Sequence, residues 1–462
     1  MKFTAAEVVQ FTNGEILAGV SNAQAQSWSI DTRSLQPGAG FFALHGIRDG
    51  HDFVETAFIN GAALAVVARA DRQDCLDESR QALVRVADPA IALVDIAREA
   101  RRRLTKAIAV GITGSAGKTT TKDLTAAALS TERKVHANEQ SFNNEVGTPL
   151  TLLSAPENTE VLIAEMGARK AGNITELADL VKPSIGVITN IGMAHAEYLG
   201  GRTGIAAVKS ELVVALPESG LAILNADCDQ TASLSKLTSA RVVTVGQAKS
   251  ADIVVSDINV DEEIRPSFSL KTDYGSVRIR LELRGAHHAV NAAMAAAVAL
   301  ELGINLDVIV ANLQRVRAAK LRMEVTKTES GIIVIDDSYN SSPTSATAAL
   351  TSLASLKVSG RRWVVLGEMR ELGEYSEAEH ATLGAQVSAM GVDCLVAVGD
   401  RVDAMAAAAR SGGVMVNEVK DAQEAIAILD AEAKAGDVVL VKASRAVGLE
   451  VIAEHLIDGG KS

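Results

Sequence analysis

Short apolar runs recur along the chain, and most of them end on glycine or a polar residue. Ala62 to Val67, Val161 to Ala164, Ile185 to Ile188 and Leu221 to Leu224 are such runs in the first half. Ile332 to Ile335, Trp363 to Leu366, Leu395 to Val398 and Val438 to Val441 repeat the pattern in the second. Runs this short, bounded by turn residues, read as strands buried on both faces. Stretches of helical spacing lie between them, as from Ile91 to Leu104 and in the segment from Gly204 to Leu212. There Ile205, Val208 and Leu212 fall on one face, and Lys209 borders it. Alternating strand and helix predicts α/β architecture with mostly parallel sheets. Ile253 to Leu283 breaks the rhythm and reads as antiparallel strands on the rim. Ala289 to Leu302 is Ala-rich and reads as a packed helix.

The pattern divides the chain into three regions. Residues 1–85 form a small α/β unit, with strands at Gly40 to Leu44 and Ala62 to Val67 and a helix from Val54 to Ile59. Residues 86–318 hold the first long strand–helix series, and residues 319–462 hold a second, doubly wound one. Ligands of such sheets gather at the C-terminal ends of the strands.

Composition narrows the function classes. The 462 residues carry a net charge of −12, which argues against a broad nucleic-acid surface. Cys75, Cys228 and Cys394 have no metal-ligand spacing and imply a reducing compartment. The first residues lack the apolar stretch of a signal peptide. No run approaches the roughly 20 apolar residues of a membrane span. The expectation is a soluble cytoplasmic protein, monomeric, with no nucleic-acid partner and no membrane insertion.

The stretch from Ala107 to Ser130 carries the strongest chemistry. An apolar strand ends in the turn Gly111-Ile112-Thr113-Gly114-Ser115-Ala116-Gly117, and Lys118-Thr119-Thr120 open a helix. Glycines let backbone N–H groups converge on a phosphate, and the helix N-terminus adds partial positive charge. Lys118 supplies a full charge, and the Thr119 hydroxyl is a ligand for Mg²⁺. The common phosphate-loop pattern has glycine where this chain has Ile112, so the loop is a variant.

Other polar groups stand at strand ends. Glu165 ends its strand where a carboxylate can hold Mg²⁺ beside the phosphates, or simply cap and meet solvent. His195 follows the next strand and reads equally as structural. Asn143 and Asn144 lie in a polar turn. Asp336 and Asp337 suit acid–base work, a helix cap or, preferably, a ribose contact. Lys442-Ala443-Ser444-Arg445 offers cations and a hydroxyl to an anionic group, or is a solvated loop.

Together these residues resemble the Mur ligases, ATP-dependent amide-forming enzymes of peptidoglycan precursor synthesis, over essentially the whole chain. The marks are Asp31-Thr32-Arg33 with the DGHDF segment from Asp49, TGSAGKTT from Thr113, NNEVGTPLTLL from Asn143 and EMGA from Glu165. They continue with TNIGMAH from Thr189, GIAAVKSE from Gly204, DDSYNSSP from Asp336, VLGEMRELGE from Val365 and VKASR from Val441. Within the family the motifs look closest to the branch that joins D-alanyl-D-alanine to UDP-N-acetylmuramoyl-tripeptide.

The resemblance implies three domains: 1–85 for the UDP-sugar, 86–318 for ATP on a phosphate-loop sheet, and a Rossmann-like 319–462 for the incoming amine. It implies that Thr113, Gly114, Ser115, Ala116, Gly117, Lys118, Thr119 and Thr120 cradle the nucleotide. Thr119 and Glu165 would hold one Mg²⁺, and His195 and Lys209 a second, with Lys209 as a carbamate. Lys118, Glu165, His195 and Lys209 would be the catalytic set. Asn291 would contact adenine, while Arg322, Asp337 and Asn340 would grip ATP from the last domain. Thr32, Arg48, Asn143 and Asn144 would face the UDP substrate. The segment Gly285-Ala286-His287-His288-Ala289 departs from the family's usual Gly-x-His-Asn/Gln-Val. Two other readings are a different amide ligase of the superfamily, such as a tripeptide-forming Mur ligase or a folylpolyglutamate synthase, and a phosphate-loop ATPase switch. The first lacks its expected motifs here: the folylpolyglutamate enzymes usually lack the N-terminal DTR…DGHDF unit. A phosphate-release assay separates the second, since a ligase releases phosphate only with both substrates present.

Overall fold

The computed structural model describes residues 1–69, 76–139 and 141–459. Cys75 lies outside the described residues. Three sheets account for most of the strands, and they follow one another along the chain. The first has five strands in the order Glu15–Gly19, Ala82–Arg85, Leu64–Val67, Gly40–Phe42, Trp28–Ser29. Only its first pair is antiparallel. The helix Pro89–Arg103 leads out of it. Asp88 caps that helix by accepting from the Ala90 N–H, and Pro89 presets φ at its first position.

The second sheet has nine strands. Seven run parallel, in the spatial order Val135–Ala137, Val161–Glu165, Ile108–Thr113, Ile185–Ile188, Leu221–Asn225, Arg241–Gly246, Ile253–Val260. Pro266–Thr272 and Gly275–Arg280 extend it antiparallel, which is the rim expected from the sequence. Ile108–Thr113 sits inside the sheet, so the segment after it emerges with strands on either side. Ile112 belongs to this strand and is fully buried. The loop is thus shorter than the common pattern, and the position where that pattern has glycine is occupied by core.

The third sheet has six strands in the order Glu324–Lys327, Ile333–Asp336, Val438–Lys442, Arg362–Gly367, Cys394–Val398, Met415–Val419. All pairs but the first are parallel. The chain order jumps at Val438–Lys442, which inserts between the first and second parallel strands in sequence. The crevice at such a reversal is where doubly wound sheets bind ligands.

Packing joins the units unequally. One hydrophobic cluster runs from Phe42, Leu64 and Val84 through Leu93 and Ile96 to Leu152 and Leu162, so the first two sheets share a core across the helix Pro89–Arg103. The last sheet has its own clusters on its two faces. Its apolar link to the rest is narrow. Ile264, at the tip between Ile253–Val260 and Pro266–Thr272, is fully buried in the last unit's core beside Met323 and Ile335. Among the described residues no helix is long and apolar enough to cross a membrane.

Candidate active site

A cleft of about 1510 Å³ lies between the second and third sheets. Its walls carry Ser115 to Thr120, Asn143, Asn144, Glu165, His195, Lys209, Asn291, Arg322, Asp337 and Asn340. Residues from these distant segments meet because most of them follow a strand end or lie near the start of a helix on that side, while Lys209 enters from the interior of the helix Gly201–Val214.

The phosphate loop is braced from the neighbouring strand. The Ala116 N–H donates to Asn190 Oδ1 at 2.9 Å, and the Thr189 hydroxyl donates to the Ala116 carbonyl at 2.6 Å. Gly114 has φ +148°, and a Cβ there would lie 1.9 Å from Thr189 Oγ1. Only glycine fits that position. Lys118 Nζ donates to the Gly114 carbonyl at 2.9 Å, so its ammonium curls over the loop. Thr113 does not reach the cleft wall. It is fully buried, and its hydroxyl donates to the Met166 carbonyl at 2.7 Å. Gly114 likewise lies beneath the wall, so the cleft lining along this loop begins at Ser115.

Thr119 Oγ1 donates to Glu165 Oε2 at 2.8 Å. The other carboxylate oxygen accepts from the Asn143 amide at 2.6 Å. Asn143, expected to face substrate, thus holds Glu165. Asn144 accepts from the Gly147 N–H at 2.9 Å and caps the following helix. Two buried hard oxygens beside a phosphate loop fit Mg²⁺, which keeps waters and phosphate oxygens for its remaining positions. Among the described residues no cluster of three or more His, Cys, Asp or Glu forms an all-protein metal cage.

Lys209 lies on the helix Gly201–Val214 and is 2% exposed. The sequence placed it beside the buried face; the ammonium itself is inside. Burial pushes its pKa down to about 7, and the Lys118 charge adds to the shift while Glu165 and Glu211 oppose it. His195 is also pushed below its ordinary value, mainly by burial and the Lys118 charge. Its Nδ1 meets a carboxylate oxygen of Glu371, which belongs to the third sheet's loops.

The third unit reaches into the cleft at two more points. Arg322 lies over the Tyr339 ring, 4.1 Å from its centroid, and donates to Thr119 Oγ1 at 3.2 Å and Ser141 Oγ at 3.3 Å. Asp337 accepts from buried Lys442 Nζ at 2.7 Å and from the Met323 N–H at 3.2 Å. Lys442 is therefore half of an ion pair at the cleft wall. Asp336 faces away from the cleft and accepts from Ser338. Asn291 is buried against Gly117, where a Cβ would lie 2.9 Å from its Oδ1.

Thr32 and Arg48 do not line this cleft. They stand in the first unit, Thr32 buried with its carbonyl accepting from Asn60 at 2.9 Å, and Arg48 exposed. Glu371, Arg169, Ser141 and Tyr339 were not singled out from the sequence. Glu371 lay inside a quoted motif, but nothing local showed that its side chain crosses to another unit.

Comparisons with known proteins cover the whole chain. Family models described as "Mur ligase family, catalytic domain", "Mur ligase middle domain" and "Mur ligase, glutamate ligase domain" match residues 25–101, 112–299 and 321–445. A UDP-N-acetylmuramoyl-tripeptide–D-alanyl-D-alanine ligase from Mycobacterium tuberculosis is 38% identical, over 99% of this chain and 98% of that protein. A crystal structure of MurF from Acinetobacter baumannii superposes with a TM-score of 0.88 at 30% identity, covering 99% of each chain. MurF from Thermotoga maritima in complex with ADP gives 0.79 at 26% identity, covering 94% of this chain and 97% of that one.

Proposed function

The chain belongs to the Mur ligase family, and we propose that it joins D-alanyl-D-alanine to UDP-N-acetylmuramoyl-tripeptide with consumption of ATP. The observation that carries this is the contact of Arg322 with Thr119. It puts a cation of the last unit against the Mg²⁺-type oxygens of the phosphate loop, inside a cleft large enough for ATP and two further substrates. The division of labour follows: residues 1–85 hold the UDP-sugar, 86–318 hold ATP, and 319–462 hold the incoming amine. The protein works in the cytoplasm as a monomer.

A carboxylate resists attack because it is anionic and would have to expel oxide. Transfer of the γ-phosphoryl group to the tripeptide's terminal carboxylate gives an acyl phosphate, from which the amine expels phosphate and forms the amide. ADP is the other product. Lys118, close to the loop amides, offsets the charge of the group in flight. Mg²⁺, when bound at Thr119 and Glu165, supplies further neutralisation of the phosphate oxygens. Asn143 keeps the Glu165 carboxylate turned toward Thr119. Lys209, whose lowered pKa leaves about half of it unprotonated at neutral pH, captures CO₂ as a carbamate with loss of a proton, and with His195 forms the second oxygen- and nitrogen-bearing corner. Arg322, Asp337 and Asn340 grip the nucleotide from the last unit. Asn291 contacts the nucleotide from behind Gly117. Thr32 and Arg48 face the UDP group from the first unit.

The test is phosphate release followed with each substrate withheld in turn. Release should require ATP, the UDP-tripeptide and the dipeptide together, with one amide formed per phosphate. Release at full rate without the dipeptide would favour a phosphate-loop ATPase instead.

A further inference from the structure

A single short segment of the third unit, around Glu371, meets His195. His195 has φ +63°, and Glu371 has φ +62°. Both side chains are about a quarter exposed, at 26% and 25%. Glu371 Oε2 meets His195 Nδ1, and Glu371 Oε1 lies 3.2 Å from Arg169 Nη2. The Glu371 carbonyl accepts from the Glu197 N–H at 3.0 Å. Two residues on, a Cβ on Gly373 would lie 3.1 Å from Glu197 Cα, so the segment is pressed against the short helix that His195 caps.

A carboxylate accepts only, so the proton of a neutral His195 ring must sit on Nδ1. That leaves the lone pair on Nε2. A neutral imidazole left to itself favours the opposite tautomer, with the proton on Nε2 and the lone pair on Nδ1. The left-handed backbone of both residues fixes where each side chain starts, and a non-glycine residue holds that conformation only when its surroundings impose it.

We propose that Glu371 is a positioning residue of the ligase: reaching across from the third unit, it locks His195 in the Nδ1–H tautomer and so turns the Nε2 lone pair to the cleft. The proposal rests on the ligase reading above. Its consequence is that His195 is set for work only while the third unit is docked. The unit that brings the amine thereby also prepares a residue of the unit that holds ATP. Carboxylates that orient a ligating histidine in this way change affinity or activity by about 10- to 100-fold when removed.

The full chain with ¹⁵N-labelled histidine reads the tautomer directly, because a protonated ring nitrogen and a lone-pair nitrogen resonate far apart. The chain has eight histidines, and the His195 signals are assigned by their loss in His195→Ala. At a pH where the ring is neutral, the wild type should show the protonated signal at Nδ1. Glu371→Ala should move the proton mainly to Nε2 and lower kcat about 10- to 100-fold, with KM for the UDP-tripeptide changed less than threefold. Glu371→Gln retains an oxygen acceptor, so it should keep the Nδ1–H tautomer and recover most of the lost kcat. Melting temperatures of the variants confirm folding. An unchanged His195 tautomer in folded Glu371→Ala would overturn the proposal, as would a Gln variant no better than Ala. A wild type that makes no amide but shows the Nδ1–H signal would instead count against the ligase reading alone.

Discussion

Lys209 has an environment that sets how much of it is a nucleophile. Its pKa of about 7 comes from burial first and the neighbouring Lys118 charge second. At pH 8 such an amine is about 90% unprotonated, against roughly 0.4% for a free lysine of pKa about 10.4. The reactive fraction is thus raised on the order of 200-fold. Addition of CO₂ forms an N–C bond, releases the amine proton and converts a neutral side chain into an anion with two oxygens. Burial that opposed an ammonium would equally oppose a lone carbamate, so the anion is held by what faces it: Lys118 and, when bound, Mg²⁺. Lys209→Ala should lose about 10²-fold or more of turnover, as for removal of one preorganised group from a charge-transfer site. Acetate or a similar short carboxylate should restore part of that loss in a saturable way. Lys209→Arg should stay inactive, because a guanidinium neither adds CO₂ nor leaves room for acetate. The assay is ligation at pH 8 in CO₂-depleted and bicarbonate-supplemented buffer, with ¹³CO₂ labelling of the wild type. Activity should also fall as pH drops through about 7, where the amine becomes protonated. A fully active Lys209→Ala enzyme in CO₂-depleted buffer would refute the reasoning.

Three further outcomes follow from other parts of the chain. Gly114→Ala should abolish ADP binding in calorimetry, since the new methyl would lie 1.9 Å from Thr189 Oγ1, which is itself bonded to the Ala116 carbonyl; wild-type affinity would show that the loop tolerates a Cβ. Asp437 is nearly buried and accepts from the Arg361 and Lys434 N–H groups and from the Trp363 indole. Burial alone would raise its pKa, but these bonds outweigh burial and hold it below the ordinary carboxylate value. Asp437→Asn should cost about 1.5–3 kcal/mol in urea denaturation at neutral pH. A depressed folded pKa means that this stabilisation is present above the unfolded value of about 3.9 and lost as pH falls below it, so a gap that persists undiminished at pH 2 would contradict the charge-based account. Ile264 is buried at φ +60°. Ile264→Ala should cost about 2–4 kcal/mol for the lost burial, yet Ile264→Gly should cost no more, because glycine relieves the left-handed backbone. A glycine variant clearly less stable than the alanine one would show that the backbone stores no strain.

The strands of the second and third sheets were legible because parallel strands covered on both faces read as unbroken apolar runs. Ile185–Ile188 falls where its run of four apolar-compatible residues placed it. The two-residue strands Phe3–Thr4 and Gln24–Ala25 were not legible, since a pattern of period two needs more positions to register. The phosphate loop was legible from local chemistry. Its true start was not, because whether Thr113 points to ligand or core depends on Met166, far along the chain. The same holds for the cleft. Arg322 meets Thr119 across 203 residues of sequence, and Glu371 meets His195 across 176. No local periodicity encodes such a pairing. Family motifs pointed to Arg322, but Glu371 emerged only from the geometry. Asn144 adds a contact that the sequence did not show: it lines the cleft and also accepts from the Gly147 N–H at the start of the next helix.

Most of the places where local rules fail share one location. Among the described residues eight non-glycine positions have positive φ, and His195, Ile264, Leu321, Met323 and Glu371 lie where the third unit meets the second. Such conformations cost of order 1–3 kcal/mol each and persist only when surrounding contacts hold them. Leu321 and Met323 are held by hydrogen bonds within the third unit to Tyr339, Glu324 and Asp337. At Ile264, His195 and Glu371 the contacts of docking are among the holders, Ile264 in the third unit's core and Glu371 on His195. Undocking loses those contacts but releases the backbone strain, so docked and undocked states lie closer in energy than the contacts alone would set them. The first two units, sharing one continuous core, have no such release and stay together. A ligase that makes a water-labile acyl phosphate needs that asymmetry. A third unit that opens to admit ATP and closes to exclude water would make use of it. Strain at the junction lowers the differential affinity that bound ATP would need for the docked state in order to decide which state prevails.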